Sequence, residues 1–240
     1  SPSSSSSSPA SFPRIATLSA TLIVRDFATG KTIVELKEAS APIAWSPGGR
    51  AIAAAEPRHR IGVWDARSGT RLGRVPGHID AVTHVAFTPA SDLVSLSRDG
   101  TLRVTNPGTS KTLYKLEIES PGNPNPRALA VSPDGSTIVS VWGTSVYVWI
   151  PQHGHLTSYR LASTRTREGW PLCISPDCRY IASWTEDGFD IMDVASGSVI
   201  CTQDGGALVT SADFSADGTM LLVGRINGDV EVWDIVRKWA

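Results

Sequence analysis

Chemistry in this chain would require reactive side chains gathered at a useful spacing, and four stretches carry the residue types for it. Thr29-Gly30-Lys31-Thr32 has the closing residues of a phosphate-binding loop, in which backbone amides and a lysine cradle phosphate. That loop needs an earlier glycine, and Arg25 stands in its place. Cys173 and Cys178 lie across a strand end and its turn, and no nearby pair of His or Cys completes the tetrahedral set that zinc requires. His153 and His155 flank Gly154 in a turn, where solvated imidazoles are expected. Glu186 and Asp187 are adjacent carboxylates in another turn, explained by turn capping and solubility. No Gly-x-Ser-x-Gly elbow occurs, and no grouping of Ser, His and Asp is suggested by position. The expectation is a chain with no catalytic centre, no metal and no cofactor.

Bulk properties narrow the classes further. The 240 residues are 41% hydrophobic, enough for a core of ordinary size. A formal net charge of −1 supplies no global field toward nucleic acid or a membrane surface, and neither is expected as a partner. No apolar run reaches the length of a transmembrane helix. The start lacks the apolar region of a signal peptide. Three cysteines in or beside apparent strands argue against a disulfide framework. Together these point to an intracellular chain, in the cytoplasm with the nucleus left open. Residues 1–13 contain six consecutive serines between Pro2 and Pro9, a composition that reads as a disordered tail or linker.

The elements that would position any site follow from residue 14 onward. Ile61-Gly62-Val63-Trp64-Asp65 reads as a short buried strand running into a tight turn closed by Gly69. Val230-Glu231-Val232-Trp233-Asp234 repeats it in full. Weaker echoes fall at 22–26, 102–106, 146–150 and 189–193, so that the Trp64 position recurs every 39 to 44 residues, at Arg25, Thr105, Trp149, Met192 and Trp233. A second landmark keeps the same beat. Ser46-Pro47-Gly48-Gly49, Thr88-Pro89-Ala90-Ser91, Ser132-Pro133-Asp134-Gly135, Ser175-Pro176-Asp177-Cys178 and Ser215-Ala216-Asp217-Gly218 are versions of one turn. In it Pro presets φ, while Asp and Gly supply capping and a permissive backbone.

Each unit holds four short runs, here termed a to d, such as 82–87, 93–97, 102–105 and 112–116. With 21 Gly and 16 Pro and no long 3.6-residue period, the chain is expected to be all-β. Strand c is apolar on both faces in Val146-Tyr147-Val148-Trp149-Ile150, which requires a neighbour on each side. Four-stranded units of this period carrying Trp-Asp are the mark of a β-propeller.

On these residues the chain from 14 to 240 resembles the WD-repeat family, with degenerate repeats. The resemblance implies a buried tetrad of His, Ser/Thr, Asp and Trp in each blade. The nearest match is His78, Ser95 and Asp99, with Thr105 in the Trp position, and these three are expected to form a structural network without chemistry. Six blades are expected, either as a distorted closed ring or as an arc cut from a seven-bladed ring, with the arc favoured and the missing blade placed before Ser1.

The d–a and b–c connections of a propeller share one rim. Here they carry Arg58, His59, Arg60, Arg98, Trp142, Arg165, Arg167, Trp170, Trp184 and Arg225. Arg and Trp are enriched in binding hot spots, and the basic excess suits an acidic or phosphorylated protein or peptide. Against this, Trp142 and Trp184 sit at the end of strand b, where they can pack between blades. The leading reading is a non-enzymatic interaction scaffold. Its rivals are a propeller hydrolase or lactonase with a central-channel site, and a sensor or regulatory domain of a larger, fungal-type signalling ATPase.

Overall fold

The structure is a computed structural model, and it describes residues 14–18, 21–118, 125–160, 172–185 and 188–235, the side chains at 159, 160 and 172 excepted. The serine-rich stretch 1–13 lies outside these residues.

Six antiparallel sheets follow one another along the chain. The first holds β1 (Arg14–Leu18), β2 (Leu22–Asp26) and β3 (Thr32–Leu36). The second holds β4 (Ser40–Trp45), β5 (Ala51–Glu56), β6 (Arg60–Asp65) and β7 (Arg71–Val75). The third holds β8 (Val82–Phe87), β9 (Leu93–Ser97), β10 (Thr101–Asn106) and β11 (Lys111–Glu117). The fourth holds β12 (Pro126–Val131), β13 (Ile138–Trp142), β14 (Ser145–Ile150) and β15 (His155–Arg160). The fifth holds β16 (Leu172–Ile174), β17 (Tyr180–Trp184), β18 (Gly188–Asp193) and β19 (Val199–Asp204). The sixth holds β20 (Val209–Phe214), β21 (Met220–Arg225) and β22 (Val230–Asp234). All six Trp-position segments expected from the sequence are the third strand of a blade, or its equivalent in the three-stranded first sheet. Strands β4, β8, β12, β16 and β20 contact one another in turn, which places the a strands on the inside of the curve.

Period-two alternation decides which neighbour each side chain meets. In the second sheet Ile52 and Trp64 face the first sheet, whereas Ala53, Ile61 and Val63 face the third. The same division recurs in later sheets, so the core consists of apolar layers between consecutive blades. Among the described residues these layers join first to second through fifth to sixth, and no apolar cluster joins the sixth sheet to the first.

The turns follow their local chemistry. In the c–d turn the Asp65 carboxylate accepts the amides of Arg67 at 2.9 Å and Ser68 at 2.7 Å. Asp26 and Asp193 accept the equivalent amides of Thr29 and Ser196, and the Thr29–Thr32 stretch is therefore a capped hairpin turn. Such hydrogen bonds hold Asp26 and Asp65 below the usual carboxylate range. In the a–b turn the hydroxyls of Ser132, Ser175 and Ser215 each donate to the Asp two residues on, at 2.5 Å. Ser132 thereby holds Asp134 down at about 2, as Ser215 does Asp217.

One regularity was not read from the sequence. Beside the Trp position β3, β7, β11 and β19 each shift register against their partner. The bulged residues are Ile33, Leu72, Leu113 and Ile200. Bulges on outer strands increase twist and blunt an edge that would otherwise invite pairing.

Candidate functional site

The network around His78 is built by three elements. His78 lies within the d–a connection into the third sheet, Ser95 lies on β9, and Asp99 lies in the b–c turn. His78 Nδ1 stands 2.9 Å from Asp99 Oδ2, and Nε2 stands 2.8 Å from Ser95 Oγ. A carboxylate only accepts, so Nδ1 carries the proton and Nε2 accepts from the serine hydroxyl. Asp99 also accepts the Thr101 hydroxyl at 2.6 Å and the Ile79 amide at 3.0 Å. Burial pushes the Asp99 carboxyl up, but the bonds from Thr101, Ile79 and His78 outweigh it and hold Asp99 at about 2. Burial depresses His78 despite the adjacent carboxylate, leaving a neutral imidazole on a charged Asp99. The His78 and Asp99 side chains are 2% and 1% exposed, so the set ties the d–a connection to the b–c turn and β9 within the fold. Thr105 occupies the Trp position as a buried residue, and its hydroxyl has no partner among the described residues.

Two other sheets hold a carboxylate by different means. In the second, Arg71 Nη1 ion-pairs with the buried Glu56 Oε1 at 2.5 Å, and Arg74 Nε donates to Oε2 at 2.7 Å. The Arg71 guanidinium also lies 5.2 Å from the centre of the Trp64 ring. In the sixth, Arg225 donates to both Glu231 oxygens at 2.6 and 3.0 Å, and Trp233 Nε1 donates to Oε2 at 3.0 Å.

Three residues expected on the rim are elsewhere. Trp142 and Trp184 are fully buried, in the layers between third and fourth and between fifth and sixth sheets. The Trp142 indole donates to Ser140 at 3.1 Å, and Trp184 packs edge-on to Phe189 with ring centres 5.7 Å apart. The physical reason is strand parity, since both side chains point into the blade interface at the last residue of strand b. Arg225 is buried against Glu231 and Ala207, where it holds the sixth sheet together. Arg165, Arg167 and Trp170 lie outside the described residues, as do Glu186 and Asp187.

Arg58, His59 and Arg98 are exposed, and Arg60 is half-buried at the head of β6. Arg58 and His59 both take left-handed backbone, with φ of 65° and 59°. The b–c turns of the third, fourth and sixth sheets place Gly100, Gly143 and Gly228 in that region instead. A side chain there costs about 1 kcal/mol or more per residue. Ile79, missed in the sequence, is 83% exposed in the d–a connection into the third sheet. Its position was signalled only by an apolar residue lodged between His78 and Asp80 in a connection. The neighbourhood is fixed by the Ile79 amide on Asp99 and the Arg98 amide on the Ala81 carbonyl at 2.9 Å. His59 lies close enough to His78 to lower its basicity.

Burial pushes the Cys173 and Cys178 thiols up to about 12, so neither is a thiolate at neutral pH. Among the described residues no group of three or more His, Cys, Asp or Glu is placed to hold a metal ion. Nor is any helix there long and apolar enough to cross a membrane.

Comparison with known proteins agrees with this architecture. The family model described as WD domain, G-beta repeat matches residues 69–106 and 194–234. Small ribosomal subunit protein RACK1y of Oryza sativa subsp. japonica is 32% identical over 176 residues, covering 68% of this chain and 50% of that protein. Telomerase protein component 1 of Rattus norvegicus is 26% identical over 189 residues, covering 72% of this chain and 7% of that protein. Meiotic recombination protein rec14 of Schizosaccharomyces pombe is 29% identical over 144 residues, covering 59% of this chain and 48% of that protein. The chain thus spans half or less of the length of these relatives. With the repeat matched at two places and one blade plan running through all six sheets, the chain belongs to the WD-repeat family.

Proposed function

We propose that the chain is a non-catalytic interaction scaffold that takes a protein or peptide partner on the rim formed by its d–a and b–c connections. One observation carries the reading. Arg58 and His59 in the b–c turn of the second sheet and Arg98 in that of the third are exposed, Ile79 protrudes from the connection bonded to the third sheet's turn, and no ion pair within the described residues neutralises these three basic side chains. Basic side chains of this kind suit an acidic or phosphorylated partner. WD-repeat relatives serve as interaction proteins, and the names of those compared here point to three different assemblies, a ribosomal subunit, telomerase and meiotic recombination. The shared repeat therefore supports binding as the function without selecting the partner. The same reading takes the chain as cytoplasmic, with the nucleus left open, supported by the ribosomal relative.

The test is affinity capture with the wild-type chain and with Arg58→Glu/Arg98→Glu. Reversal should remove the captured proteins while leaving the melting temperature unchanged, since both side chains are exposed. Undiminished capture by the folded double variant would refute the rim as the binding face.

A further inference from the structure

We infer that the rim between the second and third sheets selects an extended acidic peptide segment carrying one large apolar side chain among its carboxylates. This rests on the rim reading and specifies its partner. Three features of the structure converge on it. First, Ile79 is a large apolar side chain held out to solvent by design rather than by mobility, because its own amide is fixed on the buried Asp99 carboxylate. An anchored exposed isoleucine offers apolar contact without the entropy loss of ordering a loop. Second, the flanking turn keeps Arg58 and His59 in left-handed backbone where other b–c turns use glycine, so side chains are retained there against a conformational penalty. Third, the charges flanking Ile79 are predominantly basic. Arg103 adds a guanidinium against Gly77, where a built Cβ would stand 2.6 Å from Nη1. The opposing acids at the surface are Asp80, which accepts the Ala81 amide at 2.6 Å, and Glu117, which is bonded to Lys115 and interacts with Arg103, while Asp99 is spent on its internal bonds.

The arrangement of the cations decides between carboxylates and phosphate. A phosphate group is gripped best by guanidiniums converging on one point, in fork geometry and out of water. Here Arg58 and Arg98 belong to the turns of two different sheets and both are exposed, so they are not gathered into one fork. That pattern matches charge spread along a strand of peptide with an apolar residue in its middle.

The test uses the full 240-residue chain and fluorescein-labelled peptides with a Glu-Glu-Leu-Glu-Glu core, read by fluorescence anisotropy at two salt concentrations. Binding should weaken with salt, and it should fall about tenfold when Leu is replaced by Ser or all Glu by Gln. Ile79→Asp should weaken binding about tenfold, as should Arg58→Glu/Arg98→Glu, with melting temperatures unchanged. If the double variant loses captured proteins but no acidic peptide binds, the peptide class is wrong and the rim reading stands. If a phosphoserine peptide without glutamates binds more tightly than the acidic one, the carboxylate assignment is overturned. If the acidic peptide binds equally to wild type and both variants, this site is refuted.

Discussion

At the residue scale His78 and Asp99 form a pair in which only one member is charged. Asp99, held at about 2, contributes stability that is present above the ordinary carboxylate value of 3.8 and lost as pH falls toward 2. His78 is depressed below 6.5, so below that value the unfolded chain takes a proton that the folded chain refuses. Stability contributed by the neutral imidazole therefore declines as pH drops through 6.5. Burial depresses His84 as well, against the raising effect of its bond to the Arg127 backbone, and it adds to the same slope. Melting temperature should be level above neutrality, begin to fall as pH drops through 6.5, and fall again in strong acid. His78→Gln should flatten part of the first decline relative to wild type. An unchanged slope in that variant would show that the imidazole does not stay neutral in the fold.

Elements differ in how they hold the acid within each blade. The third sheet uses His78 and Asp99, the second uses Glu56 between two arginines of β7, and the sixth uses Arg225 with Glu231. Glu56 lies with its side chain 2% exposed, between a buried strand and an edge strand. Removing its charge strands two arginines, so Glu56→Gln should destabilise the protein by about 3 kcal/mol in denaturant unfolding. Glu38 meets the same Arg71 at 2.6 Å but is 64% exposed. Glu38→Gln should therefore cost less than about 1 kcal/mol. Equal losses in the two variants would mean that Glu56 is solvated in solution. The comparison also shows how repeats drift apart yet keep one fold. The three arrangements join different parts of the blade, β5 to β7 in the second sheet, β21 to β22 in the sixth, and the d–a connection to the b–c turn and β9 in the third.

For the whole molecule the informative contrast is between equivalent positions in different sheets. Val63 and Val232 both precede the Trp position and lie on equivalent faces of their sheets by strand parity. Val63 is 2% exposed beneath the third sheet, whereas Val232 is 60% exposed on the sixth. Leu222, paired with Val232, and Val230 are exposed on the same face. Val63→Lys should unfold the protein, because an unpaired ammonium cannot be accommodated between blades. Val232→Lys should leave unfolding within about 0.5 kcal/mol of wild type. Thermal unfolding followed by circular dichroism distinguishes them, and a large loss from Val232→Lys would show that this face is covered in solution.

The amino-acid sequence by itself determined the blades. A period of 39 to 44 residues, alternating apolar runs and turns written in Ser, Pro, Asp and Gly are local signals, and local sterics and hydrogen bonding read them directly. The His78, Ser95 and Asp99 set was legible for the same reason, since each residue holds a fixed place in its repeat. Only the tertiary structure decided which rim residues are surface. Trp142, Trp184 and Arg225 share loop-side positions with Arg58 and Arg98, yet strand parity turns the two tryptophans into blade interfaces, and Arg225 is buried against Glu231 and the Ala207 carbonyl. Ile79 shows the reverse, an apolar residue that composition would assign to a core. It stands in solvent because a buried carboxylate in another strand's turn holds its backbone there. Burial is a property of the neighbouring sheet, and no single repeat encodes what its neighbour will cover.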